Sequence, residues 1–221
     1  MRSLSLRSEF VVVIALAFGT SIYSSLVALT SASASSGSYA VFSNESLWAL
    51  AVYEVMVTAA LGIFLSLRGW TIRDIGLTPS IKDTVVGIPL LLGAYSAYYA
   101  LWYAFAGVGG RAEELPAEMF AQDLSINTVI VASCVNGLFE EVFVCGYVIA
   151  ALKQKRSATF AVNVSVAIRA AYHLYQGAAG VLSIIPLGLV FGHWFVRTGR
   201  LWPLVVAHVL ADIIGLMYYV D

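Results

Sequence analysis

The sequence predicts an all-α protein: a polytopic transmembrane bundle of about seven spans, with a cytoplasmic N-terminus and one integral-membrane domain over residues 1–221. Three observations predict it. Of the 221 residues, 60% are hydrophobic and only 11% charged, whereas soluble domains carry about 25% charged residues; the mean hydropathy is +0.86. Seven apolar stretches, about 9–31, 45–67, 83–108, 127–152, 158–175, 179–196 and 201–219, reach or approach the ~20 residues that cross a bilayer. With the N-terminus inside, the cytoplasmic segments hold Arg2, Arg7, Arg68, Arg73, Lys82, Lys153, Lys155, Arg156, Arg197 and Arg200, ten of the twelve basic residues. Short-loop Lys/Arg bias sets orientation in this way. A net charge of −1 gives no field for nucleic acid.

The first stretch needs separating from a cleaved signal peptide. Basic residues precede it and Ala32-Ser33-Ala34 imitates a cleavage site. Signal cores run about 7–15 apolar residues, and the run from Phe10 to Leu29 is longer, so a retained first helix is expected. Residues 31–46 are rich in Ser, Ala and Gly, as suits an external loop. In the second span Glu54 is expected to hydrogen-bond a neighbouring helix rather than catalyse. Arg68 to Leu77 forms a cytoplasmic link whose Trp70 has the usual interfacial anchor chemistry. Tyr95, Tyr98, Tyr99, Trp102, Tyr103 and Phe105 make the third span aromatic, which reads as packing and lipid-interface chemistry. The loop from Arg111 to Asp123 carries Glu113, Glu114 and Glu118 and is expected to stay solvated.

The fourth span holds the anomaly: adjacent carboxylates, Glu140 and Glu141. A charged group at that depth costs roughly 2.5–3.5 kcal/mol to insert, which marks a functional site with a partner elsewhere. Residues four apart share a helix face, so Ser133, Gly137, Glu141 and Cys145 form one row and Asn136, Glu140 and Val144 the next. Glu140 and Glu141 lie about 100° apart around the axis, so one can face a cavity while the other braces a neighbour. Cys134 and Cys145 are too far apart on one helix to bridge. Cys145 itself is expected to pack, since the carboxylates beside it oppose a thiolate.

The partners follow. In the fifth span Ser165, Arg169 and His173 fall on one stripe. His193, in the sixth, sits near the cytoplasmic end and is expected to be interfacial or hydrogen-bonded. The seventh carries His208 and Asp212, again four apart. Interhelical hydrogen bonds within membranes are worth about 0.6 kcal/mol each, less than these groups cost to insert, so stability alone is a poor reason for the cluster.

Glu140-Glu141-x-x-x-x-Gly146-Tyr147, then Tyr172-His173-Leu174-Tyr175-Gln176-Gly177, then Ala207-His208-x-x-x-Asp212 resembles, in order and spacing, the CAAX-protease and bacteriocin-processing family, that is, the type II CAAX prenyl endopeptidases, intramembrane glutamic proteases sometimes described as metalloproteases. The likeness covers Val135 to Gly215, and the Arg73-Asp74-Ile75-Gly76-Leu77 link looks like a segment found upstream in such proteins. It implies catalytic roles for Glu140, Glu141, His173, His208 and Asp212 within a core of about 127–219. This chain has Cys145 where the family's commonest first motif has Arg, and Asp212 where the third motif often has Asn. Arg169 is expected to supply the missing positive charge to Glu141 from the next helix.

The resemblance implies an intramembrane endopeptidase, set in a bacterial cytoplasmic membrane, that cleaves a membrane-associated protein or peptide without a cofactor. Glu140 would be the base, His173 would help hold the water, His208 would stabilise the oxyanion, and Asp212 would accept from the other His208 nitrogen and orient the ring. A zinc alternative uses Glu140, His173 and His208, two His and a Glu with an open fourth position. The competing classes are a non-catalytic scaffold or immunity-type protein and, less favoured, a proton-coupled transporter, for which the repeats and broken helices of transporters are missing from the sequence. No nucleic-acid partner is expected. The substrate and the oligomeric state are not encoded in any motif.

Overall fold

The computed structural model describes residues 5–32, 42–107 and 119–220. Arg2, Arg111, Glu113, Glu114, Glu118, the Ser33-Ala34 part of the cleavage-like motif and most of the 31–46 loop lie outside the described residues. The described chain is helical. Helix α1 runs Leu6–Ala32, α2 Asn44–Leu67, α3 Ile81–Gly107 and α4 Ile126–Glu140. A π-helical segment, Glu141–Tyr147, leads without a break into α5, Val148–Lys153. Then come α6, Ala158–Tyr172, a 3-10 turn over Leu174–Gln176, α7, Gly177–Thr198, and α8, Trp202–Leu216.

Local chemistry sets several of these boundaries. Ser43 opens α2 in a reciprocal capping box with Ser46, while the Ser125 and Ser157 hydroxyls accept from the backbone N–H of Thr128 and Phe160 at the starts of α4 and α6. Each cap satisfies a donor that has no partner inside the helix. Helix α7 stops at Gly199, in the left-handed conformation (φ 65°), and Pro203 lies in the first turn of α8, where a missing N–H costs nothing.

Among the described residues six helices are long and apolar enough to cross a membrane; the fifth of the seven expected spans is shorter, 15 residues over Ala158–Tyr172. The expected span 158–175 included His173 to Tyr175, but the chain leaves the α-helix at His173 and tightens into the 3-10 turn. The composite of α4, the π segment and α5 is the hub. Of its apolar window 67% is buried, against 22–33% for the other five long spans. Phe139, Phe143, Val144, Tyr147 and Ile149 lie in the main core with Phe18 of α1 and Phe191 of α7. The exposed faces are apolar, as in Tyr99 and Tyr103 of α3, where the neighbouring solvent is lipid.

The basic ends of the helices are tied together. Glu9, only 2% exposed, receives Arg68 Nε at 2.7 Å, Trp70 Nε1 at 2.8 Å and the Tyr147 hydroxyl at 3.2 Å. Trp70 is therefore more than an interfacial anchor: it clamps α1 to the link and to the hub. At Gly76 (φ 72°) the link meets the α7–α8 turn, and Leu201 N–H donates to its carbonyl at 2.9 Å. A Cβ there would lie 2.2 Å from the Gly199 oxygen, so both the backbone angle and the space demand glycine. Arg200 pairs with buried Asp83 at the start of α3. At the opposite end Phe42 bridges to Phe120 and Leu124 to Val220.

Candidate active site

The site lies midway along the hub. Glu140 is fourteen residues from the start of α4 and thirteen from the end of α5, about 20 Å from either end at 1.5 Å per residue. The π segment begins at the second carboxylate of the pair. In a π-helix the backbone bonds run i→i+5, and such segments are frequent at functional sites. Gly137, one turn before Glu141, lets α8 approach: a Cβ at Gly137 would lie 2.8 Å from Val209 Cγ2 and 3.1 Å from the Val209 nitrogen. That contact brings His208 against the pair.

The two glutamates have different surroundings. Glu141 is completely buried, and its Oε1 accepts from Arg169 Nη2 at 2.6 Å and from His208 Nδ1 at 2.6 Å. Glu140 is 7% exposed. Its Oε2 accepts from the Tyr172 hydroxyl at 2.5 Å and from Arg169 Nη1 at 3.2 Å, and lies 3.9 Å from His208 Nε2. Arg169 thus forks across both carboxylates from α6, a geometry that guanidinium suits and ammonium does not. Its Nη2 also lies 3.9 Å from the buried Cys145 sulfur, so the charge expected from α6 stands beside the residue that occupies the motif's arginine position.

Asp212 stands 3.6 Å from His208 Nε2, and its Oδ2 accepts from Asn136 Nδ2 at 3.0 Å. The orienting bond expected from Asp212 is made instead by Glu141, one helix away. Because a carboxylate accepts, His208 carries a proton on Nδ1 and turns Nε2 toward Glu140 and Asp212. His173 caps α6. Its Nδ1 bonds the Arg169 carbonyl at 2.9 Å; a carbonyl only accepts, so Nδ1 bears the proton and Nε2 holds the lone pair of the neutral ring.

Several participants were not legible as such. Tyr172 reads as one more apolar-helix aromatic, yet it donates to Glu140, stacks on Phe18 at 4.8 Å and 5°, and accepts the Ser25 hydroxyl on its carbonyl at 2.7 Å. Asn136 was visible only as a neighbour in the Glu140 row. Ser165 anchors α6 through its hydroxyl to the Val144 carbonyl at 2.6 Å. The hydrogen bond expected for Glu54 is not made: it is 3% exposed, with no hydrogen-bond or ion-pair partner among the described residues. His193 bonds within its own helix, Nδ1 to the Leu189 carbonyl at 2.8 Å.

Metal binding can be tested against these donors. Among the described residues no three His, Cys, Asp or Glu side chains converge as a metal-holding group. His208 has Nδ1 on Glu141 and Nε2 turned to Glu140 and Asp212, and no step below passes through a metal.

Comparison with known families identifies the segment that carries this geometry. The family model for type II CAAX prenyl endopeptidase Rce1-like proteins matches residues 122–214, which run from just before α4 to near the end of α8. No curated protein matches the chain, and no solved structure does.

Proposed function

We propose that this chain, whose residues 122–214 match the family model for type II CAAX prenyl endopeptidase Rce1-like proteins, hydrolyses a peptide bond of a membrane-associated protein or peptide with a water activated by Glu140. The observation that carries this reading is the asymmetry of the carboxylate pair. Each carboxylate takes its hydrogen bonds on one oxygen, Glu140 on Oε2 and Glu141 on Oε1, but Glu141 is sealed in completely while Glu140 is 7% exposed, which leaves the Glu140 Oε1 for a water.

In this mechanism His173 Nε2 accepts a second hydrogen bond from that water and aims it. Glu140 takes a proton as the water oxygen bonds to the scissile carbonyl carbon, and the carbonyl π electrons move onto oxygen. His208, with Nδ1–H held on Glu141, donates from Nε2 to that oxyanion in its imidazolium form, flanked by the charges of Glu141 and Asp212. As the tetrahedral intermediate collapses, the C–N bond breaks and the proton on Glu140 passes to the leaving nitrogen, giving a carboxylic acid and an amine. Arg169 holds both glutamates in register throughout. Asp212, fixed by Asn136, restrains the His208 side of the site rather than its tautomer.

The reading includes one integral domain over 1–221, seven membrane-embedded helices and a cytoplasmic N-terminus. The basic ends gathered around Glu9 and Arg200 support that orientation, and the bacterial cytoplasmic membrane follows from the resemblance alone. The test is cleavage of a panel of membrane-anchored peptides by purified wild type and Glu140→Gln, with and without a chelator. Loss in Glu140→Gln but not with chelator is expected. Loss with chelator would restore the metalloprotease alternative, and no cleavage by wild type would favour a non-catalytic scaffold.

A further inference from the structure

Two open spaces meet on the first helix. At the basic end a cleft of about 520 Å³ is lined by Leu6 and Glu9 of α1, by Arg68, Trp70 and Asp74 of the link, and by Gln154 just past α5. Beside it an apolar groove of about 300 Å³ runs along α1 over Phe10, Val11, Ile14, Ala15, Gly19 and Ile22. Both volumes fall in the range of ligand pockets, about 300–1,000 Å³. The spaces share one helix row, because Leu6, Phe10 and Ile14 are four residues apart. They also share a wall. Phe10 from the groove and Trp70 from the cleft pack on the ring of Tyr147, at 6.2 Å and 5.1 Å between centroids, and the Tyr147 hydroxyl donates to Glu9. A polar space at the end of the span thus continues into an apolar one along it.

The cleft carries charges of both signs. Buried Glu9 receives Arg68 Nε at 2.7 Å, and the Arg68 side chain remains 25% exposed. Asp74 is exposed, and the Thr71 N–H and hydroxyl both donate to its Oδ2. A guanidinium suits a phosphodiester and a carboxylate suits an ammonium, and Trp70 belongs to the headgroup level of a bilayer. The groove has the matching length. From Phe10 to Ile22 it extends about 18 Å, against about 15 Å for one leaflet of a hydrocarbon core. Ala15 and Gly19 keep it open: a Cβ added at Gly19 would meet nothing within 4 Å.

We propose that cleft and groove together hold one molecule of a diacyl phosphatidylethanolamine, with its phosphate at Arg68, its ammonium at Asp74 and one acyl chain along α1. The site stands apart from the carboxylate pair, since Gln154 is fourteen residues beyond Glu140, about 20 Å along the hub. It therefore holds whether or not the chain hydrolyses a peptide.

The test is native mass spectrometry of the purified full chain, stripped of lipid in detergent and given equal amounts of dioleoyl phosphatidylethanolamine, phosphatidylcholine and phosphatidylglycerol. One ethanolamine lipid per chain is expected to be retained, roughly tenfold or more above the other two, the worth of one charge-assisted hydrogen bond. Choline has no N–H to donate to Asp74, and glycerol carries no cation. In Asp74→Asn the preference for ethanolamine over choline falls to near one. Gly19→Leu fills the groove and lowers retention roughly tenfold. Ala15→Leu, at an exposed position, does the same should Gly19→Leu unfold. Gly62→Leu on α2, whose added Cβ also meets nothing within 4 Å, leaves retention unchanged. Equal retention of the three lipids, or a preference for phosphatidylglycerol, overturns the proposal. So does a loss in Gly62→Leu equal to that in the groove variants, or displacement of the lipid by an equal amount of water-soluble glycerophosphoethanolamine, because the groove would then contribute nothing.

Discussion

Tyr172 shows how much of this site depends on single polar atoms in an apolar setting. Its hydroxyl reaches Glu140 at 2.5 Å, and hydrogen bonds to a charged partner contribute about 1.5–3 kcal/mol. Tyr172→Phe keeps the stacking on Phe18 and removes only that bond, so kcat/KM is expected to fall roughly tenfold and the unfolding temperature in detergent to drop by a few degrees. Glu140→Gln should cost far more, about 10²–10⁴-fold in kcat, the range of a general base, with the helical circular dichroism unchanged. At this scale the sequence was informative about which residues are ionisable and uninformative about which atoms meet. Glu140, Glu141, Arg169, His208 and Asp212 could be picked out because a charge in lipid is costly. Tyr172 could not, since its ring pays for its own burial and its hydroxyl leaves no periodic trace. Nor could the exchange of His208 from Asp212 to Glu141, which depends on how far α8 slides along Gly137.

Helices were the more legible level. The expected spans agree with the observed helices to within a few residues, because twenty apolar residues in a row leave few alternatives. Two features escaped. The π segment Glu141–Tyr147 adds no composition signal, since its apolar side chains would suit an α-helix equally. The early end of α6 at Tyr172 was hidden by the aromatic His173 to Tyr175 run, which is apolar enough to continue. The docking of the link on the α7–α8 turn is the element-level contact most open to test. At Gly76 an added methyl needs a left-handed angle, worth roughly 1–2 kcal/mol, and clashes with backbone that cannot yield. Gly76→Ala should lower thermal stability in detergent, with Gly69→Ala, whose Cβ meets nothing within 4 Å, as the control for the angle alone. The same link carries Asp74, held below its ordinary carboxyl value by hydrogen bonds from the Thr71 hydroxyl and backbone N–H. A depressed value stabilises the folded link above the usual range and is lost as pH falls below about 3.8. The Thr71 amide resonance should therefore stay constant through neutral pH and move only in acid.

For the molecule as a whole, Arg169 is the residue on which fold and chemistry coincide. Taking one partner from a buried ion pair costs about 3–5 kcal/mol, since the remaining charges stay desolvated. Arg169→Gln is expected to lower both stability in detergent and activity; a variant that retained both would remove the charge-partner role. Helix α6, which carries Arg169, falls short of a spanning length, whereas α8, of equal α-helical length, runs on through a 3-10 turn to Tyr219. Fifteen residues extend about 22 Å, against a hydrocarbon core of about 30 Å. A helix shorter than its bilayer draws the two leaflets together locally or lets polar headgroups dip toward its end. The end in question is His173, the residue assigned to aim the water. Hydrophobic mismatch at α6 thus shortens the path from the aqueous phase to Glu140, in a medium that otherwise keeps the second reactant of a hydrolysis out.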